Sequence, residues 1–454
     1  MNKEMEYDRK EVLKLILENP SLRKKKLQRV EEIERTLRKI RDKEKLDFEI
    51  FLGGSYAKGT DIKGSDADIF MLFPHEFDAI EILRILKKEF PDGREEYSDH
   101  PYLMLPQDTF SIDIVPGYKA STGSDLKTAV DRTPFHVRFV QKNFSQRMKN
   151  EVRILKQFLK GIGVYGAESS VQGLSGYVAE LLIYKYGSFD KLITNVRTWK
   201  IPCILDHNDK EFRGANIVLV DPVDSGRNTA ANVSVENLAT FILAAKMFKW
   251  ENWKEFFYPV NRDFDLPKEA VVIYFPCKRC NEEILIPNLR RISTVLRGEL
   301  DALGFRVIYS SVFVTNGGYI VLIPEANELG ESALHLGPPV TSPNVKSFLE
   351  KWRNGTKFGM PFIAGDRICV LREREKREVP EAIAEIVPKI KLAKDFDLNR
   401  ILVISGSDLD SVPESIRKRF LFPSLGGWAV SQGILSEMIQ NPKKDSNDIK
   451  KAIR

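Results

Sequence analysis

Gly53-Gly54-Ser55-Tyr56-Ala57-Lys58-Gly59-Thr60-Asp61-Ile62-Lys63-Gly64-Ser65-Asp66-Ala67-Asp68-Ile69-Phe70 sets the architecture of this chain. An apolar run from Phe48 to Leu52 precedes it and reads as a strand. A second, Ile69-Phe70-Met71-Leu72-Phe73, begins directly after two acids. The glycines between them let backbone N–H groups approach a phosphate closely. Ser55 supplies a hydroxyl donor and Lys58 a positive charge. Asp66 and Asp68 sit two apart at a strand mouth, so both project to one side, about 7 Å apart at Cα. Such carboxylates repel each other unless a divalent cation neutralises them, and Mg²⁺ takes one or two carboxylates plus substrate phosphates.

Nucleotidyl or phosphoryl transfer calls for a third carboxylate. Ser111-Ile112-Asp113-Ile114-Val115 offers one, because its alternation is that of a half-buried strand with Asp113 pointing away from both isoleucines. If that strand lies beside the Asp66–Asp68 strand, three acids converge, and two metals could bridge an attacking hydroxyl and a triphosphate.

Gly54-Ser55, Asp66-x-Asp68 and Asp113 on a later strand together resemble the polymerase-β-like nucleotidyltransferases. Tyr56-Ala57-Lys58-Gly59-Thr60, Asp68 to Pro74, Val130-Asp131-Arg132-Thr133-Pro134-Phe135-His136, Val164 to Glu168 and Val220-Asp221-Pro222-Val223-Asp224 narrow the resemblance. They look like segments of the archaeal class I CCA-adding enzymes, in order over roughly the first half of the chain. Two positions depart from the family pattern: Asp66 stands where Glu is often found, and Lys58 where Arg is common. Each keeps its charge, though lysine makes no bidentate phosphate contact.

The resemblance implies an α+β multidomain protein in three parts. Residues 1–145 form a catalytic head with a mixed sheet and helices. Residues 146–262 form a mostly helical neck that recognises the nucleotide, and 263–454 an α+β tRNA-binding body and tail. It further implies Mg²⁺ on Asp66, Asp68 and Asp113, with Asp113 activating the primer hydroxyl. ATP and CTP are the implied substrates, contacted by Gly54, Ser55, Lys58, Thr133, His136, Lys156, Tyr165 and Arg227. The implied partner is tRNA, met at the acceptor stem, T-stem and 3′ end, with a homodimer as the common assembly.

Composition is compatible with this. The 454 residues allow two to four domains, and 43% hydrophobic with 30% charged content describes a soluble globular protein. A net charge of +6 suits a polyanionic partner without identifying one. Four cysteines in so long a chain point to a reducing, cytoplasmic setting without a disulfide framework. No run of 18 apolar residues is present, so no membrane span is expected, and the charged N-terminus does not read as a signal peptide.

Along the chain, residues 5–17 and 21–45 read as helices, with Lys24-Lys25-Lys26 either an RNA contact or, the reading preferred for a charge run, a solvated face. Strands alternate with a helix from Asp78 to Phe90 over the region 48–118. His100 either approaches the site or makes structural hydrogen bonds. Thr133 reads as a helix N-cap with Pro134 at the first helical position and His136 in the first turn, where phosphate is attracted. Met148 to Leu159 is amphipathic, with Lys156 at the stripe's edge. Residues 173–200 read as two helices, the second capped by Ser188. Asn216 to Val220 reads as a strand, followed by an Asp221–Asn228 loop with Arg227 exposed.

Arginine has donors and no acceptor. The resemblance implies that the Asp221–Asn228 loop helps form the base pocket; cytosine N3 and adenine N1 are acceptors, so an arginine there gives a physical reason to take C and A together. Ser234 caps a helix to about Lys249. From 263, Ala270 to Phe275 reads as a strand and Leu289 to Gly304 as a helix. Phe305 to Val314 and Tyr319 to Pro324 read as a hairpin turned at Asn316-Gly317. Cys277-Lys278-Arg279-Cys280 lacks a second ligand pair for zinc. Lys443, Lys444, Lys450, Lys451 and Arg454 read as a basic surface helix.

The triad alone also suits a poly(A) or poly(U) polymerase, a 2′-5′ oligoadenylate synthetase relative, or an inactive RNA-binding protein on the same fold.

Overall fold

The computed structural model describes residues 3–97, 100–122, 126–206, 212–258, 265–277, 280–391, 396–397 and 400–418. The basic tail from Lys443 to Arg454, along with Asp125, Lys278 and Arg279, lies outside them. Contacts divide the chain into two compact units, Met1–Arg262 and Asp263–Leu421.

The first unit opens with α1 (Lys3–Ile16) and α2 (Pro20–Glu44). Asn19 caps α2 by accepting from the Ser21 N–H, and Pro20 starts the helix where a missing N–H costs nothing. Val30, Ile33, Leu37 and Ile40 repeat at helical spacing and bury one face of α2 against a sheet. That sheet contains β1 (Glu49–Leu52), β2 (Ala67–Phe73), β3 (Arg94–Tyr97), β4 (Pro101–Pro106) and β5 (Ser111–Tyr118). The short α3 (Gly54–Lys58) follows β1, and α4 (Ala79–Glu89), capped by Asp78, follows β2. The strand order is β1-β2-β5-β4-β3. Only β2 and β5 run parallel; every other pairing is antiparallel, so the sheet is mixed.

Lys26 departs from the expected solvated face. It is fully buried, donating to Glu18 Oε1 and the Ser65 carbonyl, with its ammonium 4.7 Å from the Phe110 ring centre. A lysine inside a helical charge run looks solvated until its face is known. His100 bonds the Pro116 carbonyl and meets the Phe77 ring at 73°, while its buried Nε2 has no hydrogen-bond partner among the described residues.

The helical part comprises α5 (Thr133–Asn143), α6 (Gln146–Gly161), α7 (Gly176–Tyr186) and α8 (Phe189–Val196). Ser145, Ser175 and Ser188 cap the last three. Phe158 of α6 is fully buried at the centre of a cluster with Phe189, Phe241, Phe248, Phe256 and Phe257. The expected strand at 216–220 is split. Cys203–Ile204 (β6) pairs in parallel with Ile217–Val218 (β7), whereas Val220–Asp221 (β8) turns back onto Asp224–Asn228 (β9). The expected loop after Asp221 is therefore a hairpin. α9 (Val235–Met247), capped by Ser234, and α10 (Trp253–Phe257) complete the unit.

The second unit contains β10 (Val271–Phe275), α11 (Glu282–Leu303), β11 (Val307–Val314) and β12 (Gly318–Pro324). α11 starts well before Leu289, because Asn281 caps it by accepting from the Ile284 N–H. Next come β13 (Ser332–Pro339), α12 (Val345–Lys351), β14 (Phe362–Ala364), β15 (Arg367–Glu373), α13 (Val379–Ile386) and β16 (Leu402–Ser405). An antiparallel sheet of order β11-β12-β10-β16 packs on α11 and α13. A second sheet, β13-β15-β14, was not anticipated, because Gly337-Pro338-Pro339 interrupts its apolar alternation. Cys277 and Cys280 are disulfide-bonded, with Cα atoms 5.8 Å apart. A single bridge between residues three apart does not amount to a disulfide framework, and Cys203 and Cys369 are free and buried.

Candidate active site

Two adjacent strands and the turn before α3 build the site. Side chains alternate across a strand, so Ile69 and Met71 of β2 and Ile112 and Ile114 of β5 fill the core under α2. Asp66, Asp68 and Asp113 therefore share the opposite face. The parallel register sets Asp68 directly beside Asp113, and neighbouring strands are about 4.8 Å apart. Asp66 Oδ1 accepts from the Ser111 N–H at 3.1 Å, and the Ser111 hydroxyl donates to Asp113 Oδ1 at 3.4 Å.

Gly54 closes this face from above. Its φ of +63° is in the left-handed region, and a Cβ there would lie 1.6 Å from Asp68 Oδ2. Only glycine lets the α3 turn approach the carboxylate so closely.

Burial, followed by the charge on Asp66, pushes the Asp68 carboxyl up to about 6, while Lys58 pulls it down. Burial, followed by Asp68 and Asp66, pushes Asp113 up to about 7. The Tyr102 hydroxyl, raised by burial and then by Asp113, stands at about 12. Among the described residues no group of three His, Cys, Asp or Glu side chains is arranged to hold a metal ion as it stands, Asp66, Asp68 and Asp113 included. An open set of carboxylates still fits Mg²⁺, which keeps positions for substrate phosphates and water. The raised pKa values describe donors that lack a counter-charge.

A carboxyl whose folded pKa exceeds its unfolded value makes the folded state bind more protons, so its contribution falls as pH rises from about 4 to 7. Asp113→Asn removes that penalty. At pH 8, without divalent cations, the variant should melt above the parent by on the order of 2 kcal/mol, a gain that disappears at pH 4. The comparison with the parent matters, because burial lowers the His136 pKa and gives a slope of opposite sign near pH 6. Melting curves at the two pH values check it; equal gains at both would remove the charge repulsion from the account.

Most of the remaining expected residues fall into two clusters, and Ser55, half-buried in α3, and Thr133 lie outside both. Lys58 at the end of α3 donates to Glu180 Oε2 at 2.7 Å, and Lys156 of α6 reaches Glu180 Oε1 at 3.4 Å. Lys156 also donates to the Thr60 carbonyl and hydroxyl oxygens, and the Thr60 hydroxyl donates to Glu180 Oε1 at 2.6 Å. Lys156 is thus interior rather than at a stripe edge. Burial lowers its pKa against the pull of Glu180. Burial would raise Glu180, but the two lysines outweigh it and hold it below the usual range. Burial raises the hydroxyl pKa of Tyr165, whose oxygen lies against Gly176, as does the end of Lys156.

The second cluster surrounds Asp221. His136 Nε2 lies 2.9 Å from Asp221 Oδ2, and its ring stacks on Tyr177 with centroids 3.7 Å apart. Arg227 Nη1 donates to the same Oδ2 at 3.0 Å, so the side chain, expected to be exposed, is 37% exposed and anchored at its end. Arg227 borders a cavity of about 550 Å³, lined also by Arg132, Asp224 and Asn228.

Thr133 is the first residue of α5 rather than its cap. A 3₁₀ turn, Ala129–Arg132, precedes it, and Thr128 with Asp131 forms that turn's capping box. Thr133 packs its methyl toward Gly53.

Glu180, Tyr177 and Asp221 had no assigned role in the sequence reading. Glu180 did leave a signal: it is the lone acid in the apolar run Val178 to Ile183, and a buried carboxylate needs partners.

Residues 33–136 match the family model described as a nucleotidyltransferase domain, and 150–258 match tRNA nucleotidyltransferase, second domain. Residues 268–398 match CCA-adding enzyme, C-terminal domain. The chain is 34% identical to a CCA-adding enzyme of Thermoplasma acidophilum, covering 78% of this chain and 83% of that one. It is 32% identical to one from Picrophilus torridus, covering 82% and 90%, and 35% identical to one from Saccharolobus shibatae, covering 79% and 89%.

Proposed function

Because the chain belongs to the CCA-adding enzymes, a family of nucleotidyltransferases with archaeal members, we propose that Asp66, Asp68 and Asp113 hold Mg²⁺ beside a CTP or ATP. The reaction adds C, C and A to the 3′ end of tRNA without a nucleic-acid template and releases pyrophosphate. Bound Mg²⁺ would offset the triphosphate charge and acidify the primer hydroxyl. Asp113, on the strand next to Asp68, orients that 3′-hydroxyl. Gly54 and Ser55 offer backbone and hydroxyl donors to the phosphates.

Two ammoniums against one carboxylate leave the Lys58–Glu180–Lys156 cluster net positive, which favours a triphosphate nearby. Thr133, His136 and Tyr165 complete the ribose and phosphate side, and Arg227 reads the base. Positioning and charge neutralisation carry most of such a transfer. The observation that carries this assignment is the register placing Asp68 beside Asp113 under the Gly54 turn.

The body is assigned to the acceptor stem and T-stem, through phosphate and 2′-hydroxyl contacts, in the cytoplasm. No described helix is long and apolar enough to cross a membrane.

The test supplies a tRNA lacking its 3′ end with all four triphosphates. Products should stop after C-C-A, and raising salt from 50 to 200 mM should weaken tRNA binding by at least tenfold. A long homopolymer would instead favour a poly(A) or poly(U) polymerase.

A further inference from the structure

Asp221 is buried, yet its carboxylate accepts four hydrogen bonds. The Tyr177 hydroxyl donates to Oδ1 at 3.0 Å and the Val223 N–H at 3.1 Å. His136 Nε2 and Arg227 Nη1 meet Oδ2 at 2.9 and 3.0 Å. A carboxylate has about four lone-pair sites, so this one is saturated.

Burial would raise its pKa, but His136, the Val223 N–H and Tyr177 hold it below the usual range. An ionised carboxylate only accepts, so His136 carries its proton on Nε2 and leaves Nδ1 as an acceptor. Three segments far apart in sequence meet here: α5 through His136, α7 through Tyr177, and the β8–β9 hairpin through Val223 and Arg227. A second tie, Arg132 Nε to Asp224 Oδ2 at 3.1 Å, fixes the same hairpin to the turn before α5.

We propose that Asp221 is a positioning residue for nucleotide choice: it fixes the Arg227 guanidinium so that its remaining N–H donors face the acceptor edge of cytosine or adenine. This rests on the base-reading role given to Arg227 above. Asp221 takes one N–H of Arg227 and leaves the rest of the planar fork for a base. Without that anchor the guanidinium swings about a flexible stem. Uracil then loses its disadvantage, because a mobile donor turns from its N3–H to a carbonyl oxygen. A base site that leaves a polar group mismatched rejects the wrong partner strongly, but only while that group cannot move.

Asp221→Asn isolates the idea, since one oxygen becomes an NH₂ donor. Turned toward Oδ2, the NH₂ opposes Arg227, which cannot accept. Turned toward Oδ1, it opposes the Val223 N–H and displaces the hairpin carrying Arg227. The measurement is kcat/KM for CTP divided by that for UTP, on tRNA lacking its 3′ end. The ratio is taken within one sample, so it needs only a residual folded fraction. Asp221→Ser, smaller and neutral, is measured beside it.

The ratio should fall at least tenfold in Asp221→Asn, in Asp221→Ser and in Arg227→Ala. The double variant Asp221→Asn/Arg227→Ala should fall no further than Arg227→Ala alone. If Arg227→Ala loses the ratio while both Asp221 variants keep it, with both nucleotides slowed alike, Asp221 is merely structural and the inference fails by itself. If Arg227→Ala keeps the ratio, the base-reading role fails, and the inference with it.

Discussion

Gly54→Ala should reduce nucleotide incorporation roughly a hundredfold or more, although it changes no charge and removes no hydrogen bond. The new Cβ would sit 1.6 Å from Asp68 Oδ2, so the carboxylate or the turn must move by more than an ångström. The left-handed φ of +63° adds about 1–2 kcal/mol of strain for any residue with a Cβ. Both effects fall on the site, since Gly54 is at the partly exposed start of a short helix and packs no core. Melting should therefore shift by only a few degrees. Asp113→Ala is the companion, losing incorporation by removing a proposed ligand. Parent-like incorporation by Gly54→Ala would mean that Asp68 works from another position, and parent-like incorporation by Asp113→Ala would defeat the enzymatic assignment of the triad.

Glu180→Ala should cost about 3–5 kcal/mol of stability, because it leaves charged groups buried without their partner. Glu180 is fully buried and bonds Lys58, Lys156 and the Thr60 hydroxyl, joining α3 and the loop after it to α6 and α7. With the carboxylate gone, Lys156 has only Thr60 as partner and its pKa falls further. Chemical denaturation checks the size. Glu180→Leu combined with Lys156→Met should recover much of the loss by replacing the pair with apolar volume. A single Glu180→Ala variant as stable as the parent would show that the interior admits water to those lysines.

The sheet that carries the acids was largely legible because its signals are local. Alternation in Ser111 to Val115 placed Asp113 opposite two core isoleucines, and the two-residue step from Asp66 to Asp68 put both on one face. The serine caps at 188 and 234 announced their helices by the same short-range chemistry. The contacts of His136 with Asp221 and of Lys58 with Glu180 were not legible. They join residues 85 and 122 positions apart, and no periodicity records which helices will touch.

Thr133 misled for another reason. Thr-Pro has the form of a cap and first position, but Asp131 completes a capping box with Thr128, so a 3₁₀ turn begins at Ala129, four residues before Thr133. Lys26 and Lys156 show the same blindness from the other side. A long cationic side chain near an apolar stripe can bury its stem and find a carboxylate at its end.

The parallel pairing of β2 with β5 has a consequence for how this chain tolerates insertions and deletions. The strands are joined through α4, β3 and β4, and extra residues in those connections lengthen a tether without altering which atoms face each other. One residue removed between Ser111 and Asp113 is different in kind. It turns the third acid toward the hydrophobic layer and an isoleucine toward the solvent side. Frame within that short segment, more than the length of what precedes it, separates a working molecule from a folded but silent one.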